Sequence, residues 1–173
     1  MAITSKRELI LEYIRNTTME LINGTGNYNL DLSVISRTLR IADAINEFQF
    51  PIVFILDDTT TLYTPMTMKE MVTGTSITDL TNGMPVVIAG FVKATAVSGM
   101  DVAGALSTEM NKMFSDILIA MYSDTTLGGN CENIMLTKST ADQQHDENEG
   151  VGIVVCEFAI KYRFSPRATT PIT

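Results

Sequence analysis

The chain of 173 residues has no tryptophan, two cysteines and one histidine. Two cysteines cannot build a disulfide framework, so Cys131 and Cys156 are expected as buried, reduced thiols on two strands, close together if those strands pair. The lone histidine, His145, stands among acids that could share a metal ion, yet without ligand spacing it reads as a solvated loop residue. Pairing it with either cysteine as base and nucleophile conflicts with the apolar strand face that carries Cys156. No apolar run reaches the ~18 residues of a membrane helix. Lys6, Arg7 and Glu8 follow Met1–Ser5 directly, leaving no hydrophobic signal segment and an expectation of synthesis in a cytoplasm. There is no Walker A loop, no G-x-G-x-x-G and no nucleophile elbow, and Gly24-Thr25-Gly26 follows a helix rather than a strand. Aromatics make up 7% and are not interleaved with basic residues as a stacking platform for single strands requires. Basic residues gather only at Lys161, Arg163 and Arg167, too few for a nucleic-acid grip.

What is present is an ordinary core-forming composition, 45% hydrophobic, with a net charge of −8, which fits one domain over 1–173. An acidic surface lets a polyanion pass without sticking. Ser5-Lys6-Arg7-Glu8 reads as a capping box opening a helix over 5–22, with Ile10, Tyr13, Ile14, Thr17 and Leu21 as its stripe and Asn23-Gly24 as its stop. Tyr28 to Val34 alternates as a half-buried strand, and 41–45 reads as one helical turn or a loop. Pro51–Leu56 is apolar on both faces, the pattern of a central covered strand. Pro85–Val97 predicts a strand with Val86, Ile88, Gly90 and Val92 on one face. A second helix is expected over 100–123, with Leu106, Met110, Met113, Phe114, Ile117 and Met121 inward and Thr108, Glu109, Asn111, Lys112, Ser115 and Asp116 outward. A strand over 131–138, an acidic turn region over 141–150 and the strongest strand over 152–164 complete an antiparallel hairpin before an irregular tail over 165–173. The fold class is α+β: a mainly antiparallel sheet of about five strands with two helices on one face.

Residues 57–83 form a long Thr-rich stretch, expected to protrude as a loop or hairpin arm with one helical turn near 66–72. Tyr63, Met66, Met68 and Met71 in it, with Lys161, Arg163 and Arg167, are the candidate interface residues, because methionine adapts to contact surfaces. Asp57-Asp58 at the end of the central strand could bind Mg²⁺ or act as acid and base, the alternative being a strand running into solvent. No catalytic, cofactor-binding or metal-ligating set is expected beyond that alternative.

The turn Asp124-Thr125-Thr126-Leu127-Gly128-Gly129 stops the second helix, with glycines able to take left-handed backbone. With the N-terminal helix leading to Tyr28, the strand Phe50-Pro51-Ile52-Val53-Phe54-Ile55 and the ending Ile160-Lys161-Tyr162-Arg163, it resembles the tail-terminator (minor tail protein U-like, tail-completion) family of long-tailed bacteriophages over about 8–164. The resemblance implies a structural, non-enzymatic virion protein without cofactor or metal, made in the host cytoplasm and located at the tail–neck junction. It implies a hexameric ring that caps the head-proximal end of the tail tube, stops tube polymerisation and offers a surface for head–tail joining. Its partners would be copies of itself, the tail tube protein, a neck or head-completion protein and DNA passing through the lumen, with no membrane. In this family Asp124, Thr126, Leu127, Gly128 and Gly129 serve as a structural turn, and the long 57–83 arm departs from the family pattern. A head-completion protein on the portal side, a small metal-dependent enzyme using Asp57 and Asp58, and a ligand-binding α+β module are the other readings.

Overall fold

The computed structural model describes residues 5–23, 26–37, 49–57, 80–96 and 99–164. Helix α1 spans Lys6–Tyr13, widens to a π turn over Ile14–Thr18 and tightens to a 3-10 turn over Met19–Ile22. Ser5 caps it, its hydroxyl accepting from Glu8 N at 3.1 Å. The Glu8 carboxylate does not complete the expected box, because both its oxygens are taken by Arg37, whose guanidinium holds the acid below its usual pKa. The π turn corrects the predicted stripe. Its extra residue shifts the phase, so Ile10, Ile14, Met19 and Ile22 are buried while Thr17 is exposed and Leu21 half-buried.

Five strands follow: β1 Val34–Ser36, β2 Ile52–Asp57, β3 Leu80–Thr95, β4 Asn133–His145 and β5 Glu149–Phe164. Among the described residues they form one sheet in the order β1-β2-β3-β5-β4, parallel only between β1 and β2. The mainly antiparallel α+β fold read from the sequence is therefore the observed one. Helix α2, Val102–Ser123, lies on one face with α1, starting at Asp101, whose carboxylate accepts from Gly104 N at 2.8 Å. Between helices and sheet lies the main core, with Ile10, Ile14, Leu106, Met113 and Ile117 meeting Val53, Ile88, Val154, Cys156 and Phe158.

The helix seats closely because glycines stand under side chains of its sheet-facing side. A Cβ at Gly90 would lie 2.6 Å from Met113 Cγ, one at Gly152 2.6 Å from Met110 Cγ, and one at Gly150 2.6 Å from Leu106 Cδ1. Val86, Ile88, Gly90 and Val92 share one face of β3 as expected, and it is the buried face under α2.

Four element boundaries differ from expectation. The Tyr28–Val34 alternation is irregular until β1, because the Asn29 and Leu30 N–H groups bond to Asp116 and Leu32 N bonds to Asn23 Oδ1 instead of to a neighbouring strand. Residues 80–83, expected as the end of the arm, belong to β3 and pair with 161–164 of β5. Most of the expected acidic turn is strand: β4 continues to His145, and the chain reverses only across the bond from Asp146 N to Glu149 O at 3.0 Å. Cys131 precedes β4 rather than lying on it. The turn at 41–45 and residues 58–79 of the expected arm lie outside the described residues, as does the 165–173 tail.

Candidate functional site

The turn after α2 is held by one carboxylate. Asp124 Oδ1 accepts from Thr126 Oγ1 at 2.7 Å and from Thr126 N at 3.0 Å, and Oδ2 accepts from Gly128 N at 2.6 Å and Tyr13 Oη at 3.1 Å. Such a carboxylate bonds the backbone that follows it and draws the chain into a tight turn. Leu127, Gly128 and Gly129 all take positive φ, at 49°, 66° and 79°, and Leu127 is driven fully into the core. Gly128 is required twice over: its φ favours glycine, and a Cβ there would meet Tyr13 Cε2 at 2.5 Å. Asp124, Thr126, Leu127, Gly128 and Gly129 thus make a structural turn that ties the end of α2 to α1.

The Thr126 hydroxyl first, with the Gly128 and Thr126 amides and Tyr13, depresses the Asp124 pKa to about 2. Because the folded value lies below the ordinary carboxylate value of 3.8, the ionised group stabilises the fold above about pH 4, and this stabilisation is lost as pH falls through about 2. Asp124→Ala should cost roughly 1–3 kcal/mol at neutral pH. In urea unfolding from pH 7 to pH 2, the gap between wild type and variant should close on the acid side, and a gap independent of pH would refute the role given to the charge.

A second carboxylate, Asp116, was expected on the solvent face of α2 and is fully buried. It accepts from Asn29 N at 2.9 Å, Asn29 Nδ2 at 2.7 Å and Leu30 N at 2.9 Å, and so fastens the chain before β1 to the helix. The missed signal was its position: on a helix it falls between Met113, Ile117 and Ala120, all buried.

Asp57, half of the Asp57-Asp58 alternative, ends β2 in a two-pronged pair with Arg7, Nε at 2.7 Å from Oδ2 and Nη2 on Oδ1. Asp58 lies outside the described residues. No cluster of three or more His, Cys, Asp and Glu side chains that could hold a metal ion occurs among the described residues. Cys131 and Cys156 are free and buried; Cys156 faces Ser139, far along the sheet from Cys131, which sits beside the Lys161 end. Burial pushes both thiols up to about 11, with Asp124 adding to the shift of Cys131, the opposite of what a nucleophile needs. His145 is exposed at the end of β4.

Among the candidate interface residues, Lys161 and Arg163 are exposed on β5 and share Glu132, Lys161 at 3.5 Å. Tyr63, Met66, Met68, Met71 and Arg167 lie outside the described residues. The sheet face opposite the helices was foreseen only at Pro51–Leu56, whose run is apolar on both faces. It carries a second apolar cluster, with Ile52, Phe54, Ala89 and Phe91 buried and Val34, Leu56, Val151, Ile153 and Val155 half-buried around them. Phe54 and Phe91 pack edge to face, ring centres 5.5 Å apart. Among the described residues no helix is long and apolar enough to cross a membrane.

No protein-family model matches this chain, and no curated protein matches it.

Proposed function

We propose that this chain is a structural assembly subunit of the tail-terminator kind: a ring that caps the head-proximal end of a phage tail tube and presents a docking surface to the neck. The observation that carries the reading is the two-faced sheet. One face is covered by α1 and α2, while the other holds an apolar cluster whose flanks, Val151, Ile153 and Val155, are half-buried. Half-buried aliphatic rows of this kind suit contact with neighbouring subunits around a closed rotation. The buried or bonded acids Asp116, Asp124 and Asp57 hold segments of the chain to one another, a use that suits a rigid building block. Steric capping and complementary docking are the mechanism, and the acidic balance keeps passing DNA from adhering.

Light scattering and negative-stain imaging test this. The expected result is rings of about six copies each, single or paired, alone or on addition of tail tube protein. A stable monomer that forms no ring and leaves tube ends unbound would overturn it.

A further inference from the structure

β4 closes one side of the sheet, and among the described residues no strand pairs with its outer edge. The bond from Asp146 N to Glu149 O sets the phase of the hairpin. Counting back, Gln144, Asp142 and Thr140 exchange their ladder bonds with β5, so the backbone groups of Ser139, Ala141, Gln143 and His145 point outward. Gln143 N meets only its neighbour's carboxylate, Asp142 Oδ1, at 2.9 Å, a local bond that an incoming strand would replace. Every residue from Thr137 to His145 is exposed. Edge strands are usually protected by short length, proline, a bulge or charged side chains, and the charges at Lys138 and Asp142 on β4 are opposite in sign. β4 runs for 13 residues without proline, and its register shift lies near its start, between Leu136 and Lys138. Beside it, a groove of about 270 Å³ separates β4 from α2, walled by half-buried Met110 and Phe114 and by Ser139 and Ala141.

We propose that this edge is a self-association surface on which β4 of a second copy adds antiparallel, centred on Thr140, joining two sheets into one. The charges choose both occupant and register. Centring on Thr140 sets Lys138 of each copy opposite Asp142 of the other, and Ser139 opposite Ala141, so outward-pointing backbone groups meet outward-pointing groups. Centring on Lys138 or on Asp142 would stack like charges. Lys138 is 61% exposed beside Glu157 at 3.3 Å, which leaves its ammonium able to reach a second carboxylate. Side chains of the added strand on the helix side would cover the groove wall at Met110 and Phe114.

Sedimentation of the full chain tests the pairing independently of the ring. The wild type should be a dimer, or a pair of rings where rings form. Ala141→Pro removes an outward N–H that β5 does not use, so it should halve the mass while circular dichroism stays native. Lys138→Asp should likewise halve it, and Lys138→Asp with Asp142→Lys should restore it. A monomeric wild type, a single ring of wild-type chains, or natively folded Lys138→Asp with wild-type mass would each overturn the pairing. A single ring would leave the capping reading standing, whereas dimers that never form rings, even with tube protein, would support the pairing and count against the ring.

Discussion

Asp116→Ala is expected to lower the free energy of unfolding by roughly 3–5 kcal/mol, the scale seen when one side of a buried charged network is removed. The carboxylate is inaccessible to solvent and serves three donors from Asn29 and Leu30. Without it, two backbone N–H groups and an amide lose their acceptor in a place where the surrounding side chains are Met113, Ile117 and Ala120. The segment before β1 would have to move to reach water, and with it the three-residue parallel pairing of β1 with β2. Asp116→Asn keeps the volume but turns an NH₂ toward some of the same donors, so it should recover only part of the loss. Urea unfolding at pH 7 measures the cost, and amide exchange at Asn29 and Leu30 localises it. A loss below about 1 kcal/mol, with those amides still protected, would mean that the carboxylate is not what anchors the segment.

The same residue shows where sequence patterns lose their hold. The alternation of Tyr28, Leu30, Leu32 and Val34 is a legitimate strand pattern, and Leu32 is indeed buried. Alternation records which side chains go inward; it does not record where the backbone bonds go, and here a carboxylate on α2 takes them. A helical stripe likewise cannot reveal a π turn, because the extra residue changes phase without changing composition, and so Met19 replaces Thr17 in the core. β2 and β5 were legible because burial dominates them: β2 is apolar on both faces, and β5 alternates cleanly through Val154, Cys156, Phe158, Ile160 and Tyr162. The length of β4 was hidden for the converse reason. Its outer residues are polar and exposed, and pairing with the strong β5 holds them in the sheet without any burial of their own. The turn at Asp124 was readable as a turn but not as a clamp, since its hold depends on Tyr13, 111 positions away. Asp57 could not be assigned from the sequence, because its partner Arg7 lies 50 positions earlier.

Gly90→Val should destabilise the fold by about 3 kcal/mol, the upper end of ordinary overpacking, even though valine suits a strand far better than glycine. The new Cβ would stand 2.6 Å from Met113 Cγ and 2.7 Å from its sulfur, with Ile117 Cδ1 at 3.2 Å. Met113 is fully buried, so its chain has no free space into which to retreat. The cavity-forming change Met113→Ala should by itself cost roughly 2–5 kcal/mol. Combined, the two should cost less than their sum by at least about 1 kcal/mol, because the valine methyls occupy the space that the methionine vacates. Strict additivity in a double-mutant cycle of urea unfolding would show that the contact does not set the spacing. The interest of that spacing reaches beyond stability. The glycines under Leu106, Met110 and Met113 fix the height of α2 above β3 and β5. That height in turn sets the groove between Met110, Phe114 and the outer strand β4. If Gly90→Val lifts the helix, the groove should widen and self-association along β4 should weaken in the same variant, although Lys138 and Asp142, on the sheet face away from the helix, keep their own positions.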